Sequence, residues 1–380
     1  MKIGILTHQL LGNYGGILQN FALQEVLREM GHEPITIDYK KTLPQRIKVL
    51  SIIKRCLLYI SNKKSLPLRG WPTKSEEKKI YSNTREFVDR YIATTKRIDI
   101  DKIDNYDEAF DALVIGSDQV WRYAYMGKDI KHFFGASLPK IPIKIAYAAS
   151  YGTDEWEMPK TISENCKEWA KRFNAISVRE DSGVVLCQKH LNVRADHVLD
   201  PTFLVSRERY IDVINRNICK DSECENKKLV TYILDNTKDK QDIVDFVSKK
   251  TNANIQPIAV KEFSKVGHTR LNECIIPPIE HWLKGIMNAK FVITDSFHGT
   301  AFSIIFNKPF ITITNNSRGV SRMTSLLKIF NLENRLVNGY NEKDIINKLS
   351  EDIGWGQVNN ILFKEKQNSL LFIHKSLTKQ

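Results

Sequence analysis

Apolar residues along the chain fall into two rhythms. Short unbroken runs such as Ala112-Leu113-Val114-Ile115 have the length and composition of buried strands. Longer stretches repeat apolar positions every three or four residues, as amphipathic helices do. In the first half the pattern predicts strands at 2–7, 34–39, 112–115, 144–149, 175–178 and 193–199. Helices at about 17–30, 76–91, 161–173 and 181–189 separate them, and Gly31 ends the first helix. A second series begins after Asp200-Pro201, with strands at 229–234, 255–258, 291–294 and 310–314 and helices between them. Strands interleaved with helices of this length imply parallel βαβ units. Asp200-Pro201-Thr202 reads as a hinge, because the residue before proline is held extended. The expected fold is α/β: doubly wound domains over 1–200 and 201–355, and a last helix within 356–380 that packs back across the first half. Two such halves place a cleft between the carboxyl ends of their strands.

Composition narrows the class. The 380 residues are 42% hydrophobic and 27% charged, which is globular rather than disordered or fibrous. No run approaches the ~18–20 apolar residues of a membrane span, and the apolar start is broken at His8 and Gln9, too early for a signal-peptide core. The expectation is a cytoplasmic protein. The six cysteines form no C-x-x-C pair, the closest being Cys219 and Cys224, so reduced thiols are expected, without a disulfide framework or a zinc site. No metal-ligand cluster is evident either, and no metal or cofactor is expected.

Charge changes the picture more. Lys and Arg exceed Asp and Glu by 13, and residues 40–75 hold ten basic side chains and no acidic one. These are Lys40, Lys41, Arg46, Lys48, Lys54, Arg55, Lys63, Lys64, Arg69 and Lys74. Within that segment Val49, Leu50, Ile53, Cys56, Leu57 and Ile60 recur at helical spacing. A basic amphipathic helix suits a membrane surface or an acidic partner; the competing reading is a core helix with a solvated back. Excess positive charge also suits nucleic acid. No helix-turn-helix, RRM or finger pattern accompanies it, so nucleic acid is not an expected partner.

Four clusters fall at strand ends. Gly12-Asn13-Tyr14-Gly15-Gly16 follows the first strand and leads into a helix, a turn that lets an anion or ligand approach the backbone. Its spacing matches neither the dinucleotide fingerprint nor the P-loop. Gly116-Ser117-Asp118-Gln119-Val120-Trp121 offers Asp118 and Gln119 to sugar hydroxyls and Trp121 as a face for a pyranose ring; alternatively Asp118 caps a helix and Trp121 is core. Arg179 ends a strand in Ser177-Val178-Arg179-Glu180, where its planar fork suits a carboxylate or phosphate. In Asp295-Ser296-Phe297-His298-Gly299-Thr300 a strand runs into a capped helix, whose first-turn amides suit an anion and whose His298 suits acid–base work. Arg318 and Arg322 follow the next strand and supply more positive charge.

These clusters occur in the order seen in polysaccharide pyruvyl transferases, which the sequence resembles from about Met1 to Arg335. The resemblance rests on the Gly-Asn-Tyr-Gly-Gly opening, the Gly116-to-Trp121 box, Ser177-Val178-Arg179-Glu180, Asp200-Pro201-Thr202 and Asp295-Ser296-Phe297-His298-Gly299. It continues through Ser321-Arg322, Ser325-Leu326-Leu327 and Leu332-Glu333-Asn334-Arg335. It implies a GT-B-like fold of two Rossmann-type domains. It also implies transfer of pyruvate from phosphoenolpyruvate to two hydroxyls of one sugar, giving a cyclic ketal and phosphate. The acceptor would be a surface polysaccharide or its lipid-linked precursor, reached at the inner face of the membrane. His298 would be the general acid, and Arg179 and Arg322 would bind the donor, with Arg318 the alternative to Arg322. Asp118 would orient or deprotonate the acceptor. The competing enzyme is a GT-B-type glycosyltransferase, distinguished by releasing a nucleotide instead of phosphate.

Overall fold

The computed structural model describes residues 1–41, 45–60, 67, 69–106, 108–217 and 228–378, and within 45–60 the side chains of 48–57. Cys219, Cys224, Lys63 and Lys64, and the side chains of Arg46 and Ile60, lie outside the described residues.

Among the described residues the first half contains eight strands: β1 (Lys2–Leu6), β2 (Glu33–Thr36), β3 (Tyr39–Lys40), β4 (Ile98–Asp99), β5 (Ala112–Ile115), β6 (Ile143–Ala149), β7 (Ala175–Val178) and β8 (Asp196–His197). Six of them form one sheet in the order β2-β1-β5-β6-β7-β8, while β3 and β4 pair separately. The second half contributes β9 (Lys228–Tyr232), β10 (Asn254–Pro257), β11 (Phe291–Thr294), β12 (Phe310–Ile313) and β13 (Leu336–Val337). They form a second sheet in the order β10-β9-β11-β12-β13. Every pairing in both sheets is parallel. Helices cover both faces of such sheets, which is why β5 and β11 are apolar almost throughout and buried along their whole length.

Several expected elements differ, the strand expected over 193–199 shrinking to Asp196–His197 at the sheet edge. The strand expected over 34–39 stops at Thr36, because buried Asp38 turns out of the sheet to meet Arg85 at 3.0 Å. The helix expected over 76–91 is two helices, Lys74–Ile80 and Ser82–Tyr91, the first opened by a Thr73–Glu76 capping box.

The halves share a continuous apolar core. Tyr14 and Phe21 on the first helix, Tyr14–Glu29, lie 5.5 Å from the Trp282 ring and 6.3 Å from the Tyr210 ring. The final helix, Trp355–Thr378, returns to the first sheet, where Ser369 Oγ accepts the Leu199 amide at 3.0 Å and Phe372 lies 6.2 Å from Tyr147.

Within each sheet the chain starts at an inner strand, steps outward once, and then crosses back. This reversal makes β1/β5 and β9/β11 the switch points, where loops diverge and leave a crevice at the carboxyl ends. The two crevices face each other.

Candidate active site

The loops after the four switch-point strands, together with Arg318 and Arg322 after β12, line a cavity of about 430 Å³. Asn13, Gly15, Asp118 and Gln119 come from the first domain, and His298 and Arg322 from the second. Tyr81, Phe263 and Ile276 make an apolar wall.

The loops after β1 and β5 are tied together at their bases. Thr7 Oγ1 donates to Ser117 O at 3.0 Å and accepts from Gln19 Nε2 at 2.9 Å. Asp118 then takes a left-handed conformation, φ 75°, where Asp is better tolerated than most residues. Its Oδ1 accepts the Gln119 amide and an Arg179 Nη2 proton, both at 2.9 Å, and its Oδ2 accepts from Asn13 Nδ2 at 3.1 Å.

Arg179 also donates through Nη1 to Asp200 Oδ2 at 2.7 Å, so its fork bridges two buried carboxylates. Asp200 in turn accepts from Ser117 Oγ at 2.8 Å and from the Thr202 amide and hydroxyl at 3.0 and 2.8 Å. Burial by itself raises both carboxyls. For Asp118 the charges of Arg179, His8, His298 and Arg322 outweigh it, and for Asp200 His298, Arg179 and the Thr202 amide do, so both sit well below the usual carboxylate range.

In the second domain Asp295 acts as an organiser. Its carboxylate accepts the Leu234 and Asp235 amides at 2.7 and 3.2 Å, Lys240 Nζ at 2.7 Å and Asn315 Nδ2 at 2.9 Å. Ser296 caps the helix Phe297–Ile305, its Oγ accepting the Gly299 amide at 3.4 Å. His298, in the first turn, points across the domain boundary: its Nε2 is 3.8 Å from Asp200 Oδ2 and has no hydrogen-bond partner among the described residues. Its ring fills the space where a Cβ on Gly15 would lie.

The two downstream arginines differ. Arg318 is bound by Asp235 through Nε at 2.5 Å and Nη2 at 3.1 Å. Arg322, on the helix Ser321–Ile329, is buried, and its guanidinium makes no hydrogen bond or ion pair among the described residues. It lies 5.8 Å from the Phe297 ring, and Arg179 lies 4.3 Å from the same ring. Burial, reinforced by the like charge of Arg179, brings the Arg322 guanidinium down to about 10. A buried cation without a counter-ion is costly, and an incoming anion relieves that cost.

Not every expected site residue reaches the cavity. Trp121 is fully buried, stacked 4.7 Å from Phe134 with Nε1 donating to Phe133 O at 2.9 Å, so it offers no face to a pyranose. Tyr14 is core, its hydroxyl donating to Pro277 O at 2.9 Å. Thr300 is turned inward to Thr312 Oγ1 at 2.8 Å. Gly299 is packed so closely on Thr294 that a Cβ would overlap it, and its amide is used by the Ser296 cap. Arg179 lies under the cavity, both of its Nη groups paired with carboxylates. The sequence pattern does not single out Asp200 or His8 as site residues. Asp200 reads as a hinge because it precedes Pro201, and its site partners Ser117, Arg179 and His298 are remote in the chain. His8 follows β1, within range of the Asp118 charge, and burial lowers its imidazole; its place just past a switch-point strand is the signal for it. Among the described residues no group of His, Cys, Asp and Glu is placed to hold a metal ion.

A family model described as polysaccharide pyruvyl transferase matches residues 13–317, most of the chain. No curated protein matches in sequence. Among solved structures, Staphylococcus aureus MnaA with UDP is 11% identical with a TM-score of 0.51, over 95% of this chain and 90% of that one. UDP-GlcNAc 2-epimerase from Neisseria meningitidis bound to UDP-GlcNAc is 10% identical with a TM-score of 0.51, over 100% of both chains. Arabidopsis thaliana UGT89C1 complexed with UDP is 8% identical with the same TM-score, 0.51, again over 100% of both. At these identities the likeness is one of fold, and the fold is GT-B-like: two Rossmann-type domains around a cleft.

Proposed function

The chain belongs to the polysaccharide pyruvyl transferase family, and on that premise we propose that it moves pyruvate from phosphoenolpyruvate to two hydroxyls of one sugar in a surface polysaccharide or its lipid-linked precursor. The observation that carries this reading is Arg322, a buried guanidinium without a counter-ion, lining the same cavity as His298 and Asp118. The anionic donor supplies what Arg322 lacks.

In the proposed reaction Arg322 holds the donor by its carboxylate or phosphate. His298 gives a proton to the methylene carbon, which becomes the methyl group and leaves an oxocarbenium-like centre at C2. One sugar hydroxyl bonds to C2 and its proton restores His298. The C2–O bond to phosphate breaks, the second hydroxyl closes the ketal, and its proton leaves with inorganic phosphate. Asp118 suits orientation of the acceptor better than deprotonation. A carboxylate held so far below its ordinary range is a weak base. Asp200 and Arg179 act from behind, fixing Asp118 and the Nε2 side of His298.

A donor screen tests the reading. Phosphate release that depends on phosphoenolpyruvate and saturates with it supports pyruvyl transfer. Nucleotide release from a nucleotide sugar, with no response to phosphoenolpyruvate, replaces it with the glycosyltransferase reading that the GT-B-like fold also accommodates.

A further inference from the structure

The helix Gln45–Ile60 is attached to the molecule by its polar edge. Lys48 Nζ lies over the Trp71 ring at 6.0 Å. Arg55, seven residues on and so on the same side, donates through Nη1 to Pro67 O at 2.8 Å and Ser264 O at 3.1 Å. The opposite arc is apolar and uncovered: Val49, Leu50, Ile53 and Leu57 are between 47 and 64% exposed. A helix anchored to its own protein normally turns its apolar side inward. Here the arrangement is inverted.

Its position is equally specific. Ser264, which holds Arg55, adjoins Phe263, and Phe263 lines the cavity that contains His298 and Arg322. Arg69 lies 5.5 Å from the Phe263 ring and pairs with Glu76 at 2.8 Å, fixing the same edge. The anchored edge of the helix therefore lies next to a wall of the cleft, with the exposed arc on its far side.

We propose that this helix is an interfacial docking element for an anionic lipid surface, with the apolar arc entering the headgroup boundary and the cleft held close to the bilayer. Charge selects this occupant. Residues 40–75 contain ten basic side chains and no acidic one, so the segment meets an anionic surface without repulsion. Part of that charge is engaged internally: Lys40 with Asp99 at 3.5 Å, Lys41 with Asp129 at 2.7 Å, and Lys48, Arg55 and Arg69 as above. Among the described residues Lys54, exposed at the edge of the arc, has no such partner. Docking is thus led by the apolar arc and assisted by charge. This inference stands apart from the identity of the donor, because lipid binding is read without any substrate.

Co-sedimentation with vesicles of phosphatidylglycerol in phosphatidylcholine, against phosphatidylcholine alone, tests it. The full chain is expected to bind the anionic vesicles and to be released in part by high salt. The triple variant Leu50→Gln/Ile53→Gln/Leu57→Gln is expected to lose about tenfold or more in partitioning with its thermal midpoint little changed, since these side chains are more than half exposed among the described residues. Lys54→Gln is expected to weaken binding and flatten its salt dependence. Equal binding by the wild type and the triple variant, or no binding by the wild type, overturns the proposal. So does a stable dimer that the triple variant converts to monomer, which would assign the arc to a second copy of the chain.

Discussion

Arg318 and Arg322 lie one helical turn apart in sequence and carry the same group, yet their surroundings make them opposites. Asp235 neutralises Arg318 through both edges of its fork, while Arg322 lies buried with no carboxylate of its own. Arg322→Ala is therefore expected to raise the KM for phosphoenolpyruvate by about ten- to a hundredfold, the worth of a hydrogen bond to a charged group. Arg318→Ala should change it far less, and steady-state kinetics that reverse the order would move the donor site to Arg318. His298→Ala should lower kcat by about 10²–10⁴-fold with little change in donor KM, the usual signature of a lost general acid. Near-normal turnover in that variant would take His298 out of the chemistry. Arg179 is a different case. Removing it leaves Asp118 and Asp200 as buried, unpaired charges, so its loss appears first in stability, at about 3–5 kcal/mol.

Element by element, the site is made where two helix starts meet. The helix Tyr14–Glu29 opens with Gly15, and the helix Phe297–Ile305 opens with His298 lying against it. Alanine is the better helix former by about 1 kcal/mol, so Gly15→Ala costs the isolated helix nothing. Its Cβ, however, would occupy the place of the His298 ring. Gly15→Ala is expected to fold and yet lose about a hundredfold in kcat, since a small misplacement of a catalytic group costs that much. Full activity in the alanine variant would mean that His298 need not sit where it does. Gly319 plays a similar part farther along. It holds φ +86°, and any Cβ there would overlap Gly152 O, so a loop of each domain packs backbone to backbone.

The whole molecule carries a pH signature, because its cleft is built on ionised carboxylates. Hydrogen bonds from Arg318 lead in holding Asp235 well below the ordinary range, against partial burial, and Asp118 and Asp200 are depressed as well. In the unfolded chain such groups titrate at about 3.9. Below that value the unfolded state binds protons that the folded state does not, so stability is complete above it and falls as the pH drops toward the depressed folded values. Asp235→Asn is expected to flatten this acid slope by up to one proton, about 1.4 kcal/mol per pH unit. Urea unfolding followed between mildly and strongly acidic pH reads it, and identical slopes in the two proteins would show that Asp235 carries none of the effect. The sequence by itself determined the alternation of strands and helices. Buried parallel strands must be apolar almost throughout, so the runs at 112–115, 175–178 and 291–294 coincide with β5, β7 and β11. It also determined that Asn13, Asp118 and His298 follow such strands, because a βαβ chain puts every strand-to-helix turn at the carboxyl edge of its sheet. Tertiary structure alone decided which turn residues face the cavity. Trp121 and Tyr14 went to the core because apolar partners distant in sequence were there to cover them. Arg179 was tied to Asp118, 61 residues away, and Asp200 became the neighbour of His298 only when the second domain closed on the first. Local patterns record which groups a chain can bury, but the charge that each group meets is set by the folded contacts.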